Sequence, residues 1–389
     1  MAAIAAADMG NRVTVFEWND RIGRKLDITG KGRCNLTNNC SREDFFANIP
    51  TNPKFLFSSF SAFDNDAVMA FFEDAGVPLK TERGGRVFPV SDRAHDITAA
   101  LVREMDRRDV QIVTARVKQL IIEDGRVCGV IADKRYTADS VIVACGGMSY
   151  PKTGSTGDGY ELARSAGHTI VEPQGSLVPL VCEESFCRDA MGLSLKNVRL
   201  TLTKDGKAVW SEMGEMLFTH FGVSGPLVLS ASGHMRDMSR SYQLIIDLKP
   251  ALDEKKLDER IRRDMAENIN KDHINSLGAL LPRKLIPVVA KLSGIPFDKK
   301  VNQITHEERM TLVRIIKGLT LTVKAKRPID EAIITSGGVS TKEIDPRTMR
   351  SKMVEGLYFA GEVIDVDAYT GGFNLQIAFS TGHAAGANA

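Results

Sequence analysis

A glycine-rich stretch near the amino terminus combines the residue types that bind phosphate groups. It reads Arg21-Ile-Gly-Arg-Lys-Leu-Asp-Ile-Thr-Gly-Lys-Gly-Arg-Cys-Asn-Leu-Thr-Asn38. The N–H groups of such a loop, together with cations and small polar side chains, can surround a pyrophosphate and the polar rim of a flavin. A solvated basic loop is the alternative, but three glycines interleaved with Lys31, Arg33 and Asn35 are unusual in a plain connection. The stretch therefore predicts a nucleotide-binding loop.

A short predicted strand, Val13-Thr-Val-Phe-Glu17, precedes this loop and ends on an acid. In dinucleotide-binding α/β units, an acid at the end of the second strand accepts hydrogen bonds from the ribose hydroxyls of adenosine. Glu17 is placed for this role, although a strand that ends on a surface glutamate is equally common. The alanine-rich segment Ala2–Met9 predicts a helix that Gly10 ends, which completes an α–β half-unit.

Two more glycine turns follow apolar runs. Ala144-Cys-Gly-Gly147 comes at the end of Asp139–Cys145, which is typical of a buried parallel strand. Thr370-Gly-Gly-Phe-Asn-Leu-Gln376 opens a predicted helix that extends to Ala387. The first N–H groups of this helix could stabilise negative charge at the flavin N1–C2=O edge on reduction. A glycine-capped helix that only packs is the alternative.

His220, in Phe218-Thr-His-Phe-Gly-Val-Ser-Gly-Pro226, is the candidate proton donor or substrate ligand. A packed turn before a helix that begins at Pro226 explains the same residues equally well. The other histidines have no metal-ligand spacing. The six cysteines include no Cys-x-x-Cys pair, which predicts free thiols in a reducing compartment and no zinc site.

Three motifs resemble those of the BaiN-type flavoproteins, and they occur in the same order along the chain. This family of NAD(P)/FAD-dependent oxidoreductases includes aminoacetone-oxidase-like enzymes. The motifs are Thr29–Asn38, Ala144–Gly147 with Pro151-Lys-Thr-Gly-Ser-Thr-Gly-Asp-Gly159, and Gly361–Asp367 with Thr370–Gly372. The likeness covers essentially the whole chain. It implies an FAD domain that is built from both chain ends and interrupted by a β-rich and a helical insertion.

The resemblance also implies individual cofactor contacts. Glu17 would bind the adenosine ribose, Arg24 and Lys25 the nearby phosphates, and the backbone at Val117 the adenine. The full predicted set is Glu17, Arg24, Lys25, Thr29, Gly30, Gly32, Arg33, Cys34, Asn35, Val117, Ala144, Gly146, Gly147, Gly361, Glu362, Asp365, Thr370, Gly371, Gly372, Phe373, Asn374 and Leu375. Within it, Gly30 to Asn35 would line the flavin side, and Glu362 and Asp365 would reach the ribityl chain.

The elements that must position these residues indicate an α/β protein with a Rossmann-like FAD-binding domain. We expect this domain to comprise residues 1–178 and 326–389, with a β-rich insertion over 179–250 and a helical insertion over 251–325. Short strands around the turn Glu123-Asp-Gly125 predict a β-meander, and helices are predicted over Asp64–Ala75 and Asp92–Arg108, the second capped by Ser91 and Asp92.

The charge and apolar composition limit the binding partners that can be expected. The 389 residues include 51 Lys and Arg against 49 Asp and Glu, a net charge of +2 that is spread along the chain. Nucleic acid is therefore not expected, and a small-molecule substrate is favoured. No apolar run approaches the roughly 18–20 residues of a membrane span, so we expect a cytoplasmic protein without a membrane partner. The oligomeric state is not predicted.

A complete protein of this type should begin with a strand and Gly-x-Gly-x-x-Gly before the helix Ala2–Met9. Because Met1 falls inside that helix, we expect a truncated or mis-assigned start and weaker FAD binding than in a longer form. The expected activity is two-electron transfer at flavin N5 with a small organic substrate. NAD(P)H or O2 is the expected redox partner. A cofactor-poor, non-catalytic remnant and a tRNA-modifying flavoprotein are the alternatives.

Overall fold

The structure is a computed structural model that describes residues 1–389. The chain divides into two compact units. The first comprises Met1–Ser176 and Ile329–Ala389, and the second comprises Leu177–Pro328. No helix has both the length and the apolar character needed to cross a lipid bilayer.

Eighteen strands and fourteen α-helices make up the two units. The strands are β1 Thr14–Glu17, β2 Thr37–Asn38, β3 Leu79–Thr81, β4 Arg86–Pro89, β5 Gln111–Thr114, β6 Gln119–Glu123, β7 Arg126–Ile131, β8 Arg135–Thr137, β9 Val141–Val143, β10 Ile170–Ser176, β11 Leu180–Cys182, β12 Ser194–Lys204, β13 Lys207–Phe218, β14 Gly222–Ser224, β15 Tyr242–Asp247, β16 Leu319–Lys326, β17 Ile334–Val339 and β18 Leu357–Phe359. The helices are α1 Ala2–Asp8, α2 Arg24–Ile28, α3 Arg42–Ala47, α4 Phe57–Ala62, α5 Asn65–Asp74, α6 Ala94–Asp106, α7 Asp158–Ser165, α8 Phe186–Asp189, α9 Pro226–Gly233, α10 Glu254–Glu267, α11 His273–Ser276, α12 Ile286–Leu292, α13 His306–Lys317 and α14 Phe373–Gly386.

The first unit contains the parallel strand pairs. β1 pairs with β5 and β9 with β18, both in parallel. β6, β7 and β8 form the predicted meander, and its first turn, at Asp124-Gly125, has φ values of 50° and 77°. Two consecutive positive φ values are typical of the primed turns that join hairpin strands. α14 packs on α1 at Gly386, where an added Cβ would lie 2.2 Å from the Ala2 carbonyl oxygen.

The cap predicted for α6 is wrong. The helix begins at Ala94, and its N-cap residue, Arg93, makes no side-chain capping bond. Asp92 instead accepts hydrogen bonds at 2.8 Å from Arg33 and from Lys80. Its carboxylate therefore serves two ion pairs, and its φ of 57° places it in the turn before the helix.

The second unit is a closed barrel with helices against it. The strand order is β11-β14-β13-β12-β15-β16, and one hydrophobic core combines barrel side chains such as Leu200 and Leu244 with Leu257 of α10 and Leu312 of α13. Residues 319–325 of β16 lie in the stretch 251–325 that was expected to be a helical insertion, and the inward residues of β16 alternate with outward ones as in a strand. The finer division of this unit into two domains stays a prediction.

Candidate cofactor site

The glycine-rich loop and the start of α14 lie side by side in the first unit. Asn38 donates its side-chain N–H to the carbonyl oxygen of Gly371, 333 residues away, at 3.0 Å. The Thr37 hydroxyl donates to the side-chain oxygen of Gln376 at 2.6 Å. Gly372 has a φ of 100°, and an added Cβ there would lie 2.3 Å from the Thr37 carbonyl oxygen. This contact therefore requires glycine.

An ion pair between Lys25 and Glu362 lies at the centre of the site. Lys25 Nζ is 2.7 Å from Glu362 Oε2 and donates to the Ser149 hydroxyl at 2.9 Å. The other carboxylate oxygen accepts the Thr335 N–H at 2.7 Å and the Ser149 hydroxyl at 3.2 Å. Both charged side chains stay about a quarter exposed, at 25% and 22%. The pair connects α2 to the turn after β18, and Ser149 joins both to the turn after β9.

Gly147 is packed against this pair. The hydroxyl oxygen of Thr335 accepts the N–H groups of Met148 and Ser149 at 2.8 and 3.1 Å. A Cβ at position 147 would lie 2.3 Å from that oxygen and 3.0 Å from Glu362 Oε1. Sequence reasoning found Gly147 but missed Ser149 and Thr335. The only available signal for Ser149 was its position two residues after Gly147, and no signal in the sequence pointed to Thr335.

At the other end of the site, Asn19 holds the carboxylate of Glu17. Glu17 Oε1 accepts the backbone N–H of Asn19 at 2.9 Å and its side-chain N–H at 2.7 Å. Asn19 also donates to the Thr153 carbonyl oxygen at 3.1 Å and accepts from Arg24 at 3.1 Å. It is only 8% exposed. Sequence reasoning missed Asn19, although an asparagine just after a strand end often bonds to nearby groups.

We expect Asn19→Ala to weaken FAD binding about tenfold, because it removes the side-chain hydrogen bonds to Glu17 and Arg24 and a net hydrogen bond contributes about 0.5–1.5 kcal/mol. Titration of the apoprotein, followed by the change in flavin fluorescence, measures the dissociation constant. Asn39→Ala is the matched control, since Asn39 is exposed and makes only a 3.4 Å side-chain contact with Thr81. An equal loss of affinity in both variants would show that Asn19 has no special role.

Val117 lies near the Glu17 end of the site. The N–H of Ala115 donates to the Glu17 carbonyl oxygen at 3.1 Å, which continues the β1–β5 pairing. Val117 follows two residues later and is half-buried. The ribose and adenine contacts implied by the resemblance thus fall on adjacent strand ends, and their roles stay predictions.

Three consecutive residues of the first motif face different surroundings. Arg33 pairs with Glu82 and Asp92, and its guanidinium lies 4.1 Å from the Phe88 ring centre. Cys34 is fully buried, and burial raises the pKa of its thiol to about 12, so it stays a neutral packing group at physiological pH. Asn35 keeps a buried side-chain oxygen that has no hydrogen-bond partner in the chain.

On the α14 side, several predicted residues hold the turn itself. Asn374 donates to the Ala368 carbonyl oxygen at 2.8 Å and accepts the Ala368 N–H at 2.9 Å. Asp365 is buried and accepts from the Asn52 side chain at 3.0 Å. Gly361 donates its N–H to the Thr381 hydroxyl at 2.9 Å. The remaining residues that were predicted to contact FAD also lie in the first unit. They are Thr29, Gly30, Gly32, Ala144, Gly146, Thr370, Phe373 and Leu375.

His220 belongs to the second unit. It lies exposed on the turn between β13 and β14, which the Thr219 N–H closes by donating to the Gly222 carbonyl oxygen at 2.9 Å. The imidazole packs against the edge of Phe221, with ring centres 5.0 Å apart. The alternative of a packed turn before Pro226 is therefore wrong in part: a turn is present, but β14 separates it from α9 and His220 is exposed. A role for His220 in proton transfer stays a prediction.

The residues present fit a flavin dinucleotide. The unpartnered Asn35 oxygen can accept a hydrogen bond from a polar ring edge. At Gly147 and Gly372 an added Cβ would meet Thr335 and Thr37, so glycine is what lets these turns pack closely. Lys25 and Arg24 supply cations for phosphates, and Glu17 supplies an acceptor for ribose hydroxyls. A Rossmann-type unit with this donor set defines the class of FAD-binding oxidoreductases.

The chain belongs to the HI0933-like family, because the family model described as the HI0933-like protein Rossmann domain matches residues 1–388. It is 31% identical to a 3-dehydro-bile acid delta(4,6)-reductase of Clostridium scindens over 99% of this chain and 95% of that protein. This match confirms the resemblance to BaiN-type flavoproteins and supports a flavin-dependent oxidoreductase.

The chain is also similar to a second curated protein and, in fold, to a solved structure. The chain is 31% identical to a ribosomal RNA dihydrouridine synthase of Haemophilus influenzae over 98% of this chain and 93% of that protein. Among solved structures, a quinol-fumarate reductase aligns with a TM-score of 0.50 and 16% identity, covering 99% of this chain and 67% of that one. The structural likeness concerns the fold alone.

Proposed function

We propose that the protein is an FAD-dependent reductase that saturates a carbon–carbon double bond conjugated to a carbonyl group. The cradle formed by the glycine-rich loop, the Lys25–Glu362 pair and the start of α14 carries the cofactor part of this proposal. The relatives' names supply the substrate part. A 3-dehydro, delta(4,6) bile acid and the uracil ring of uridine both contain a double bond conjugated to a carbonyl.

Bound FAD would supply two-electron transfer to such an acceptor. The chain's own residues position it. Lys25 and Arg24 would bind the diphosphate, and Glu17, fixed by Asn19, would accept from the ribose. The N-terminus of α14 would favour negative charge on the adjacent ring edge. Saturation of the double bond also requires a proton, for which His220 is the candidate donor. NADH and NADPH are the proposed reductants.

A small polycyclic enone is the first candidate substrate. A uracil in RNA is the second candidate substrate, and the distribution of charge between the two units supports it. The second unit holds 25 Lys and Arg against 18 Asp and Glu, whereas the first holds 26 against 31. The near-neutral total, from which nucleic acid was not expected, therefore conceals a basic unit, and a basic domain is the electrostatic requirement for RNA binding.

Anaerobic stopped-flow measurements test the proposal. The FAD-loaded protein is first reduced with NADH or NADPH and then mixed with a 4-en-3-one steroid or with a uridine-containing RNA oligonucleotide. We expect one of these acceptors to reoxidise the flavin at least about tenfold faster than its saturated counterpart, since only the conjugated bond accepts the electron pair. Equal rates with saturated and unsaturated compounds would contradict the proposal.

A further inference from the structure

The indole of Trp18 is exposed but fixed. It follows Glu17 directly and is 44% exposed. The guanidinium of Arg116 lies 5.5 Å from the ring centre. The indole nitrogen lies against Gly154, where an added Cβ would be only 3.0 Å from Nε1. These neighbours restrict the side chain, so the indole presents a defined flat surface rather than a mobile one.

Arg116 is itself held in place. Its Nε and Nη2 donate to the two carboxylate oxygens of Asp158 at 2.7 and 2.6 Å. Asp158 is the first residue of α7 and also accepts the Thr156 hydroxyl at 2.8 Å. The hydrogen bonds from Arg116 hold the pKa of Asp158 below its usual range, so this pair stays charged at neutral pH. A bidentate ion pair of this kind fixes the orientation of the guanidinium as well as its position.

Trp18 is adjacent in the chain to residues that are expected to bind the adenosine half of FAD. Trp18 lies between Glu17, the candidate ribose ligand, and Asn19, which fixes that carboxylate. Arg116 precedes Val117, the candidate adenine contact. The indole and the guanidinium that lies over it thus each belong to a residue adjacent in the chain to one that is expected to bind the adenosine half of the cofactor.

We propose that Trp18, held by Arg116 and Gly154, is the stacking surface for the adenine of FAD. Indole is the aromatic side chain with the largest face, and stacking with a base needs no particular hydrogen-bond pattern. The proposal rests on FAD as the cofactor and is independent of which substrate the enzyme reduces.

The chain contains two tryptophans, which allows a direct test. ADP carries the adenosine diphosphate half of FAD without the absorption of a flavin, so it quenches tryptophan only by contact. In Trp210→Phe, where Trp18 is the remaining tryptophan, we expect ADP to quench the emission with saturation. In Trp18→Phe, where Trp210 of the second unit remains, we expect no quenching. Equal quenching in both variants, or none in either, would overturn the proposal.

Affinities provide the second measurement. We expect Trp18→Ala to weaken both FAD and ADP by about 5- to 100-fold while FMN, which lacks adenosine, changes by less than about twofold. Trp18→Phe should keep most of the affinity. An unchanged FAD affinity, or an equal loss for FMN, would refute the stacking role. Both affinity measurements are made without any acceptor, so a failure of the proposed reduction is seen separately, in the unmodified protein loaded with FAD.

Discussion

Replacing Gly147 by valine should give a protein that is purified without flavin and unfolds more easily than the wild type. A Cβ at this position would lie 2.3 Å from Thr335 Oγ1 and 2.7 Å from Thr335 Cβ, inside any allowed contact distance. The turn or β17 must therefore shift. Overpacking of this kind costs about 1–3 kcal/mol of unfolding free energy. It also separates the Thr335 hydroxyl from the N–H groups of Met148 and Ser149. Thr335 and Ser149 both donate hydrogen bonds to Glu362 of the Lys25–Glu362 pair.

Flavin content after purification, apoprotein unfolding by urea and far-ultraviolet circular dichroism measure the effects of this change. Gly147→Ala should give an intermediate loss, because it adds one carbon to the same clash. Gly278→Val is the matched control, since Gly278 has nothing within 4 Å of its added Cβ and no positive φ. If Gly147→Val retained as much flavin as Gly278→Val, the close contact at Thr335 would have no importance for the site.

Some features of this site follow from local sequence and were predictable. Glu17 stands at the end of a β-branched strand, and the order of strand, acid and glycine loop is set by neighbours within about twenty residues. The start of α14 follows in the same way, because Gly371-Gly372 and the apolar run after it mark a helix N-terminus. In both cases the residue types and their spacing are enough to predict the local structure.

The pairing of side chains across the site was not predictable. Lys25 and Glu362 are 337 residues apart, and Ser149 joins them from a third segment. Their approach depends on the order and register of strands, which a single sequence does not specify. Arg33 illustrates the same limit. Its residue type fits a phosphate ligand, but Glu82 and Asp92 are close enough to pair with it.

The second unit shows how strand pairing overrides local pattern. β16 follows the helices α10 to α13, and its partner β11 precedes them, so the pair Leu180 and Lys326 closes the barrel over a long stretch of chain. The inward residues Leu319, Leu321 and Val323 have the two-residue period of a strand. The preceding helical pattern nevertheless drew the predicted boundary past them, because a short strand after a long helical segment has few turn signals of its own.

Lys25→Met should weaken FAD binding by about 10- to 100-fold and reduce the dependence of binding on salt. A hydrogen bond to a charged group contributes about 1.5–3 kcal/mol, and each 1.4 kcal/mol corresponds to a tenfold change in affinity. The variant also leaves the carboxylate of Glu362, which still accepts from Thr335 and Ser149, without its cation. An uncompensated negative charge beside the expected diphosphate opposes binding as well.

A double-mutant cycle with Glu362→Gln separates these two causes. Glutamine keeps an oxygen for the Thr335 N–H but removes the charge, so Lys25→Met/Glu362→Gln should bind FAD more tightly than Lys25→Met alone. Lys342→Met is the control, because Lys342 is an exposed lysine of the same unit outside the predicted site, and its replacement removes the same charge. Its dissociation constant should change by less than about twofold, as expected for a distant, screened charge. If Lys342→Met weakened binding as much as Lys25→Met, net charge rather than the Lys25–Glu362 pair would determine FAD affinity.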